Sequence, residues 1–405
     1  MYDLLKGLRI VEGSAFVAGP TCGLYLAQLG AEVIRFDNIG GGPDFGRWPL
    51  ASNGSSLYWE GLNKAKKSIA IDLSGPEGRE LAQRLATAPG EAGGVFVTNF
   101  PAEGFLSYEK LRALREDLIC ARVMGWADGG PGLDYTINSA VGVPLMTGPV
   151  DEPRPVNHVL PAWDLLTGAY AALTLVAAVM DRRATGRGRE IRLPLSDIAA
   201  ATLANMGMTA EILETGHDRP RLGNDLFGAF GRDFVTKDGQ RIMLATITPR
   251  QWKGVVGALG INAEIAALEA ELGVSFAKDE GLRYDHRLRL IPIFDAGFAR
   301  HDLESLKPVF EADGVCWGPY QPLSRAMEDP RLYKGNPLFS EIEHPSGRRY
   351  PAPGFAGTIP QDARLPVRAA PKLGQHTDEV LAEVLGLSGS EIASLHDRNV
   401  VAGPK

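Results

Sequence analysis

Short apolar runs alternate with helix-like stretches from the start of this chain, and that rhythm constrains the fold more than any single motif. Residues 8–11, 32–36, 68–72, 94–98 and 118–123 are rich in Val, Ile, Leu or Phe and bounded by turn residues, as buried strands are. Between them, 20–29 and 76–86 read as helices that each open on a proline, which suits a first helical turn because its missing N–H has no partner there. Helices joining strands at this spacing predict an α/β chain with a parallel, Rossmann-like sheet. After a long apolar helix at 165–183, the run Thr185-Gly186-Arg187-Gly188-Arg189 turns into a further strand at 190–195 and a helix from Ser196.

The character changes near Gly216. Residues 233–244 read as a hairpin turning at Lys237-Asp238-Gly239, and helices follow to about 327 with a strand-like stretch at 315–320. The expected organisation is therefore a large Rossmann-like domain over 1–215, a smaller α+β domain over 216–345, and a return segment over 346–405 packing on the large domain. In that return, the Pro-rich 351–371 is read as extended and 377–396 as two short helices. A chain of 405 residues is long enough for two cores.

The formal charge of −7 argues against a nucleic-acid partner. Three cysteines, Cys22, Cys120 and Cys316, lie far apart without metal-ligand spacing, so no disulfide or structural metal is expected and a reducing cytoplasm is the default compartment. The first six residues lack the form of a signal peptide. The apolar helix at 165–183 carries Thr167, Gly168, Tyr170 and Thr174 and reads as a core helix, so no membrane partner is expected.

The turn after the first strand, Gly13-Ser14-Ala15-Phe16-Val17-Ala18-Gly19, is not GxGxxG. Phe16 and Val17 stand where a pyrophosphate would approach backbone, which disfavours a nicotinamide cofactor despite Asp37 at the end of the second strand. A different nucleotide, or the reactive centre, could still contact this turn. Lys64, Lys66 and Lys67 precede a strand either as a solvated edge or as a phosphate contact. Asn99-Phe100 ends a strand where open α/β sheets bind ligands, although it could equally be a simple turn. Arg47 lies among Phe45, Trp48 and neighbours, suited to clamping a carboxylate or to aromatic packing. No GxSxG elbow is present, which disfavours an ordinary hydrolase.

Asp164 stands at the start of the long apolar helix. At an N-cap it would accept backbone N–H groups, feel the positive end of the helix dipole and remain ionised. Two readings are open. It is a structural cap, or, if screened from water, an oxygen nucleophile beside an apolar wall. His158, near it in sequence, is a proton carrier, a substrate donor or a structural histidine.

Taken together, these pieces resemble the family III CoA-transferases. The similarity is carried by Gly7-Leu8-Arg9-Ile10-Val11-Glu12, Gly19-Pro20, Leu29 to Ile34, Asn63-Lys64, Lys67-Ser68-Ile69, Asn99-Phe100, Asp164 to Gly168, Arg183 to Gly188, and Leu373 to Leu381. It runs nearly end to end. The resemblance implies a Rossmann-like large domain and a small domain in ring-shaped monomers that interlock as a homodimer. It also implies that Asp164 attacks an acyl-CoA thioester, forming a mixed anhydride and then an aspartyl-CoA thioester. Coenzyme A enters as part of the substrate, and no tightly bound cofactor or metal is expected. The candidate substrate contacts are Phe16, Val17, Ala18, Arg47, Asp134 and His158, and the candidate coenzyme A contacts are Lys67, Ile71, Asn99 and Phe100.

Departures narrow the expectation. Leu133 stands where the family's racemase branch has a histidine, removing one of two bases needed for proton exchange at carbon. Asn224 to Gly231 lacks the glycine run of the oxalate-accepting branch, and Ser107 replaces an arginine that contacts CoA phosphate in some relatives. A branch that moves CoA between the two ends of one unsaturated C5 diacid shares Val11 to Ala18, Arg47-Trp48-Pro49, Asp134-Tyr135-Thr136, Met146 to Pro149, Asn157 to Asp164 and Gly228 to Phe234. Exchange of CoA between separate dicarboxylates is the alternative activity.

Overall fold

A computed structural model describes residues 1–404. The chain opens with β1 (Arg9–Gly13), α1 (Ala18–Gln28), β2 (Glu32–Asn38), α2 (Leu57–Leu62), β3 (Lys67–Ile71), α3 (Pro76–Ala86), β4 (Val95–Thr98), α4 (Tyr108–Leu114) and β5 (Ile119–Met124). It continues through α5 (Asp134–Ala140), α6 (Val143–Met146), α7 (Ala162–Thr185), β6 (Arg189–Pro194), α8 (Leu195–Asn205) and α9 (Met208–Thr215). Next come β7 (Phe230–Val235), β8 (Arg241–Thr246), α10 (Pro249–Leu259), α11 (Asn262–Leu272), α12 (Glu280–Asp285), α13 (Arg287–Phe298), α14 (Leu303–Asp313), β9 (Cys316–Pro319) and α15 (Leu323–Ala326). The last elements are β10 (Phe339–Glu343), β11 (Arg349–Pro353), α16 (Thr377–Leu385), α17 (Gly389–Asp397) and β12 (Val401–Ala402).

Two compact units emerge among the described residues, one of 1–141, 158–215 and 335 onward, the other of 142–157 and 216–334. The first is a mixed α/β fold around a seven-stranded sheet ordered β12-β3-β2-β1-β4-β5-β6. Every pairing in it is parallel except that of β12 on β3. The chain winds outward from β1 through β2 and β3, then resumes on the other side of β1 with β4. The carboxyl ends of β1 and β4, where Gly13 pairs with Thr98, therefore form a topological switch point, the crevice at which such sheets bind ligands.

Alternation along the strands sends side chains to two cores. Phe36, Ile69, Ile71 and Phe96 pack with Leu81 and Leu85 of α3, Val380 and Leu381 of α16, and Leu395 of α17. On the opposite face Ile10, Val33, Val97 and Ile119 meet Cys22 and Leu26 of α1 and Ala171 and Leu175 of α7. Full burial of each large apolar side chain contributes about 1.5–3 kcal/mol, so these layers dominate the stability of the unit.

At 24 residues, α7 is longer than its sequence suggested and has the length and composition of a membrane span. It is nonetheless embedded in the first unit's core, with Thr167, Ala171 and Leu175 buried on one face. Gly186 ends it in the left-handed conformation at φ +70°. Arg182, in its last turn, donates to the carbonyls of Gly94 at 2.9 Å and Gly93 at 3.1 Å.

The second unit holds the antiparallel sheet β7-β8-β9 and helices α10 to α14 around an aromatic core of Phe230, Phe234, Trp252, Phe294 and Phe298. The segment 142–157, placed by sequence in the large domain, packs here instead. Arg221 ties it down by donating to the carbonyls of Leu145 at 2.8 Å, Pro144 at 3.3 Å and Glu152. Conversely, residues 335–345, read as part of the small domain, supply β10, which pairs with β11 in the first unit.

Candidate active site

The turn between β1 and α1 is fixed residue by residue. Asn99, just past β4, accepts the Ala15 N–H at 3.1 Å and donates to the Ala15 carbonyl at 2.9 Å. Asp44 accepts the Phe16 N–H at 3.2 Å. These bonds hold Phe16 at φ +71°, a left-handed conformation that a bulky side chain rarely adopts and that surrounding structure must impose. Val17 precedes the first turn of α1 and, like Ala18, is buried.

Below the turn lies a buried ion set that no local sequence pattern announced. Arg35 donates to both oxygens of Asp37 at 2.8 Å and to Asp44 at 2.7 Å. Lys66 bonds Glu12 at 2.8 Å, the Pro20 carbonyl at 2.9 Å and Asn63 at 2.9 Å. The Lys64-Lys66 cluster is thus neither a solvated edge nor a phosphate contact. Lys66 neutralises Glu12 inside the fold, and Lys64 is buried against the Gly61 carbonyl with its pKa lowered by desolvation to about 8. Asp37 serves Arg35 and is not presented to a ribose.

Asp164 is the third residue of α7, not its cap; Pro161 occupies the cap and offers no side-chain acceptor. The N–H groups expected to bind Asp164 go to Asp134, whose Oδ2 accepts from Trp163 at 2.7 Å and from Asp164 at 3.0 Å. Among the described residues no group donates a hydrogen bond to the Asp164 carboxylate. It is half-buried, and its pKa is pushed up to about 7, first by desolvation and then by the charge of Asp134, with the Arg47 guanidinium pulling the other way. The expectation of a carboxylate kept ionised by its own helix end is therefore corrected. Burial and a like charge outweigh the dipole.

Around this carboxylate the first unit gathers several of the predicted residues. Arg47 stacks over Phe16 at 5.4 Å and over Tyr58 at 5.3 Å, which fixes its guanidinium beside the turn. The Tyr58 hydroxyl is buried without a hydrogen-bond partner and its pKa is raised to about 12, mainly by desolvation. Sequence reasoning missed Tyr58, because the basic cluster a few residues on looked the more informative feature. His158 Nε2 lies 3.3 Å from the second oxygen of Asp134, and Tyr135 meets the imidazole edge-on at 5.9 Å.

Gly168, one turn beyond Asp164, explains how α7 comes so close. A Cβ there would stand 2.8 Å from the Ala18 carbonyl and 2.7 Å from the Thr21 Cβ, so the glycine lets α7 seat against the first turn of α1. Phe16, Val17, Ala18, Arg47, Asp134, His158 and Asp164 thus belong to one neighbourhood.

The coenzyme A candidates divide. Asn99 and Phe100 adjoin the turn, with Phe100 stacked on Phe36 at 6.3 Å. Ile71 ends β3 opposite Asn38, but its side chain is fully buried among core residues. Lys67 begins β3, at the opposite end of the strand from the crevice, and its ammonium is engaged by Glu32 at 2.7 Å and Glu379 at 2.6 Å. It does not join the site. No group of three or more His, Cys, Asp or Glu residues suited to a metal occurs among the described residues.

Comparison with known proteins gives consistent results. The sequence pattern of CoA-transferase family III matches residues 5–377. A 2-methylfumaryl-CoA isomerase of Chloroflexus aurantiacus is 48% identical over 406 residues, covering 100% of this chain and 99% of its own. A succinate–glutarate CoA-transferase of Agrobacterium fabrum is 30% identical over 396 residues, 94% of this chain and 95% of that one. Among solved structures, a CAIB/BAIF family protein from Brucella suis matches with a TM-score of 0.76 at 27% identity, covering 95% of this chain and 100% of that chain.

Proposed function

The chain belongs to CoA-transferase family III, and on that premise we propose that it moves coenzyme A between the two carboxyl groups of one unsaturated C5 dicarboxylate, interconverting 2-methylfumaryl-CoA and 3-methylfumaryl-CoA. The observation that carries the reading is the Asp164 carboxylate, half-buried and free of hydrogen-bond donors, beside a fixed Arg47 cation. The 48% identity to an isomerase of this name supports the choice of diacid.

The steps balance without an added reagent. The Asp164 carboxylate attacks the thioester carbonyl and expels CoA thiolate, leaving a mixed anhydride. The thiolate attacks the Asp164 carbonyl of that anhydride, releasing the diacid as a dianion and leaving an aspartyl-CoA thioester. The other carboxylate of the same diacid then attacks the aspartyl thioester and expels thiolate again. Finally the thiolate attacks the substrate-side carbonyl of the second anhydride, giving the isomeric thioester and a free Asp164. Throughout, one carboxylate of the diacid stays charged, and Arg47 is the cation suited to hold it. Retaining the diacid between steps converts exchange into isomerisation, because the second carboxylate attacks from within the same complex.

Asn99 and Phe100 at the end of β4 are the proposed coenzyme A contacts. The active form is proposed to be an interlocked homodimer, a reading supported by apolar surface near Asp164. Val159 is 89% exposed and Leu160 61% in the segment entering α7. Further on, α9 buries none of its residues, with Leu213 88% exposed.

Replacing Asp164 by Ala is expected to abolish turnover and the hydroxylamine-sensitive protein-bound CoA while leaving the melting curve folded. Substantial residual activity in Asp164→Ala would sink the mechanism. Labelled free 2-methylfumarate in the assay decides the remaining choice. Isomerisation leaves product thioester unlabelled, whereas label in the product would establish transfer between separate acids, the activity named for the Agrobacterium relative.

A further inference from the structure

Resting on the reading of Asp164 as nucleophile, we propose that Asp134 and His158 are positioning residues: they hold the amino end of α7 from outside and so leave the Asp164 carboxylate turned to the thioester rather than spent on its own helix. The first turn of any helix presents N–H groups with no partner inside the helix. A carboxylate in that turn ordinarily satisfies them itself, as in a capping box. Here Pro161 supplies no acceptor, and without Asp134 the carboxylate of Asp164 would be the nearest candidate.

Asp134 removes that competition. It is almost wholly buried, and one of its oxygens, Oδ2, takes the N–H groups of both Trp163 and Asp164, at 2.7 and 3.0 Å. The other oxygen, Oδ1, lies 3.3 Å from His158 Nε2, and the His158 ring rests edge-on against Tyr135. Oδ2 thus anchors the helix start, while Oδ1 and His158 Nε2 face one another at ion-pair distance without a hydrogen bond between them, a contact that becomes attractive when the imidazole carries a proton.

A neutral acceptor would serve the helix equally well, so the charge on Asp134 has a separate effect. It disfavours the ionised form of Asp164 and makes that carboxylate more basic than a free one. A more basic carboxylate is a stronger nucleophile once ionised. The charged and titratable groups that act on Asp164 are Asp134 of α5, Arg47 of the loop before α2 and Tyr58 of α2; Tyr135 and Asp44 act in turn on Tyr58, and His158 of the segment entering α7 contacts Asp134.

Full-length protein with Asp134→Asn, Asp134→Ala, His158→Gln and His158→Ala separates capping from charge. The measurements are kcat and kcat/KM from pH 5 to 9 (about 2-unit spans either side of the Asp164 titration), melting curves, and intact-protein mass for aspartyl-CoA. The amide oxygen left by Asp134→Asn can still accept both N–H groups, so this variant should stay folded while the acid limb of kcat/KM moves down by about one unit. Asp134→Ala loses the acceptor as well, and kcat should fall about a hundredfold with a smaller change in KM. His158→Gln, which keeps a donor, should retain more of kcat than His158→Ala. A folded Asp134→Ala enzyme with the wild-type kcat overturns the proposal, and if that variant fails to fold, His158→Ala with the wild-type kcat does so; Asp134→Asn with the wild-type pH profile removes the effect of charge. Aspartyl-CoA on the wild type with unchanged Asp134 variants refutes the positioning role alone; absence of any Asp164 adduct removes the underlying mechanism and this role together.

Discussion

At the scale of single residues, Asp164 combines two properties that pull against each other. Burial and Asp134 raise its pKa to about 7, while attack on a thioester requires it ionised. The folded protein therefore holds the proton to a higher pH than the unfolded chain, where an aspartate titrates near about 4. Between those values the unfolded state is ionised and the folded state is not, so stability falls as pH rises through the window, and the cost is complete above about 7. Two results are expected. The acid limb of kcat/KM should lie near pH 7 rather than near 4, and Asp164→Asn should be inactive yet more stable at pH 8 by about 1–3 kcal/mol, a gain that vanishes below about pH 4. Denaturant titrations of both proteins at pH 4 and pH 8 check this; equal stability at pH 8 would mean that burial does not strain the carboxylate. The sequence showed Asp164 at a helix start but not which position it held, because acidic residues favour both the cap and the first turn. What it could not show was Asp134, since the acceptor comes from another helix and is brought near only by the fold.

At the scale of elements, the seam between α1 and α7 decides where the carboxylate stands. Gly168→Ala would gain about 1 kcal/mol of helix propensity. Against that, its Cβ would meet the Ala18 carbonyl at 2.8 Å and Thr21 at 2.7 Å, and backbone cannot swing aside as a flexible side chain can. Overpacking of this kind costs about 1–3 kcal/mol, so a net loss is expected in urea unfolding together with a lower kcat, because the start of α7 is pushed away from the Phe16 turn. An alanine variant as stable and active as the wild type would show that the seam has slack.

Elements with a strong pattern were legible in the same way. Strands β1 to β5 of the parallel sheet each carry an apolar run long enough to read, whereas their order across the sheet appears only in the fold. By contrast β12 has only two residues, too few for any periodicity, and β10 has a side-chain pattern without a buried face. The Lys64-Lys66 run was misread because charge on a sequence looks solvated until its counter-ions are known. Glu12 comes from β1, more than fifty residues away in sequence from Lys66, to which it bonds at 2.8 Å.

For the whole molecule, the assembly is the property with the clearest consequence. Apolar side chains exposed before α7 and along α9 need a cover in water, and another copy of the chain is the cover proposed here. Interlocking differs from face-to-face pairing in a way that can be measured. Two chains that thread one another cannot separate as folded bodies, whereas a face-to-face pair dissociates by mass action when diluted. Light scattering should therefore give twice the 43.5 kDa of one chain. Dilution to nanomolar concentration should release no folded single chain, and only denaturant should produce one. Subunit exchange between tagged and untagged dimers should likewise require unfolding. A folded 43.5 kDa species at micromolar concentration would rule out the dimer, and rapid exchange of folded subunits would retain the dimer while ruling out the interlock.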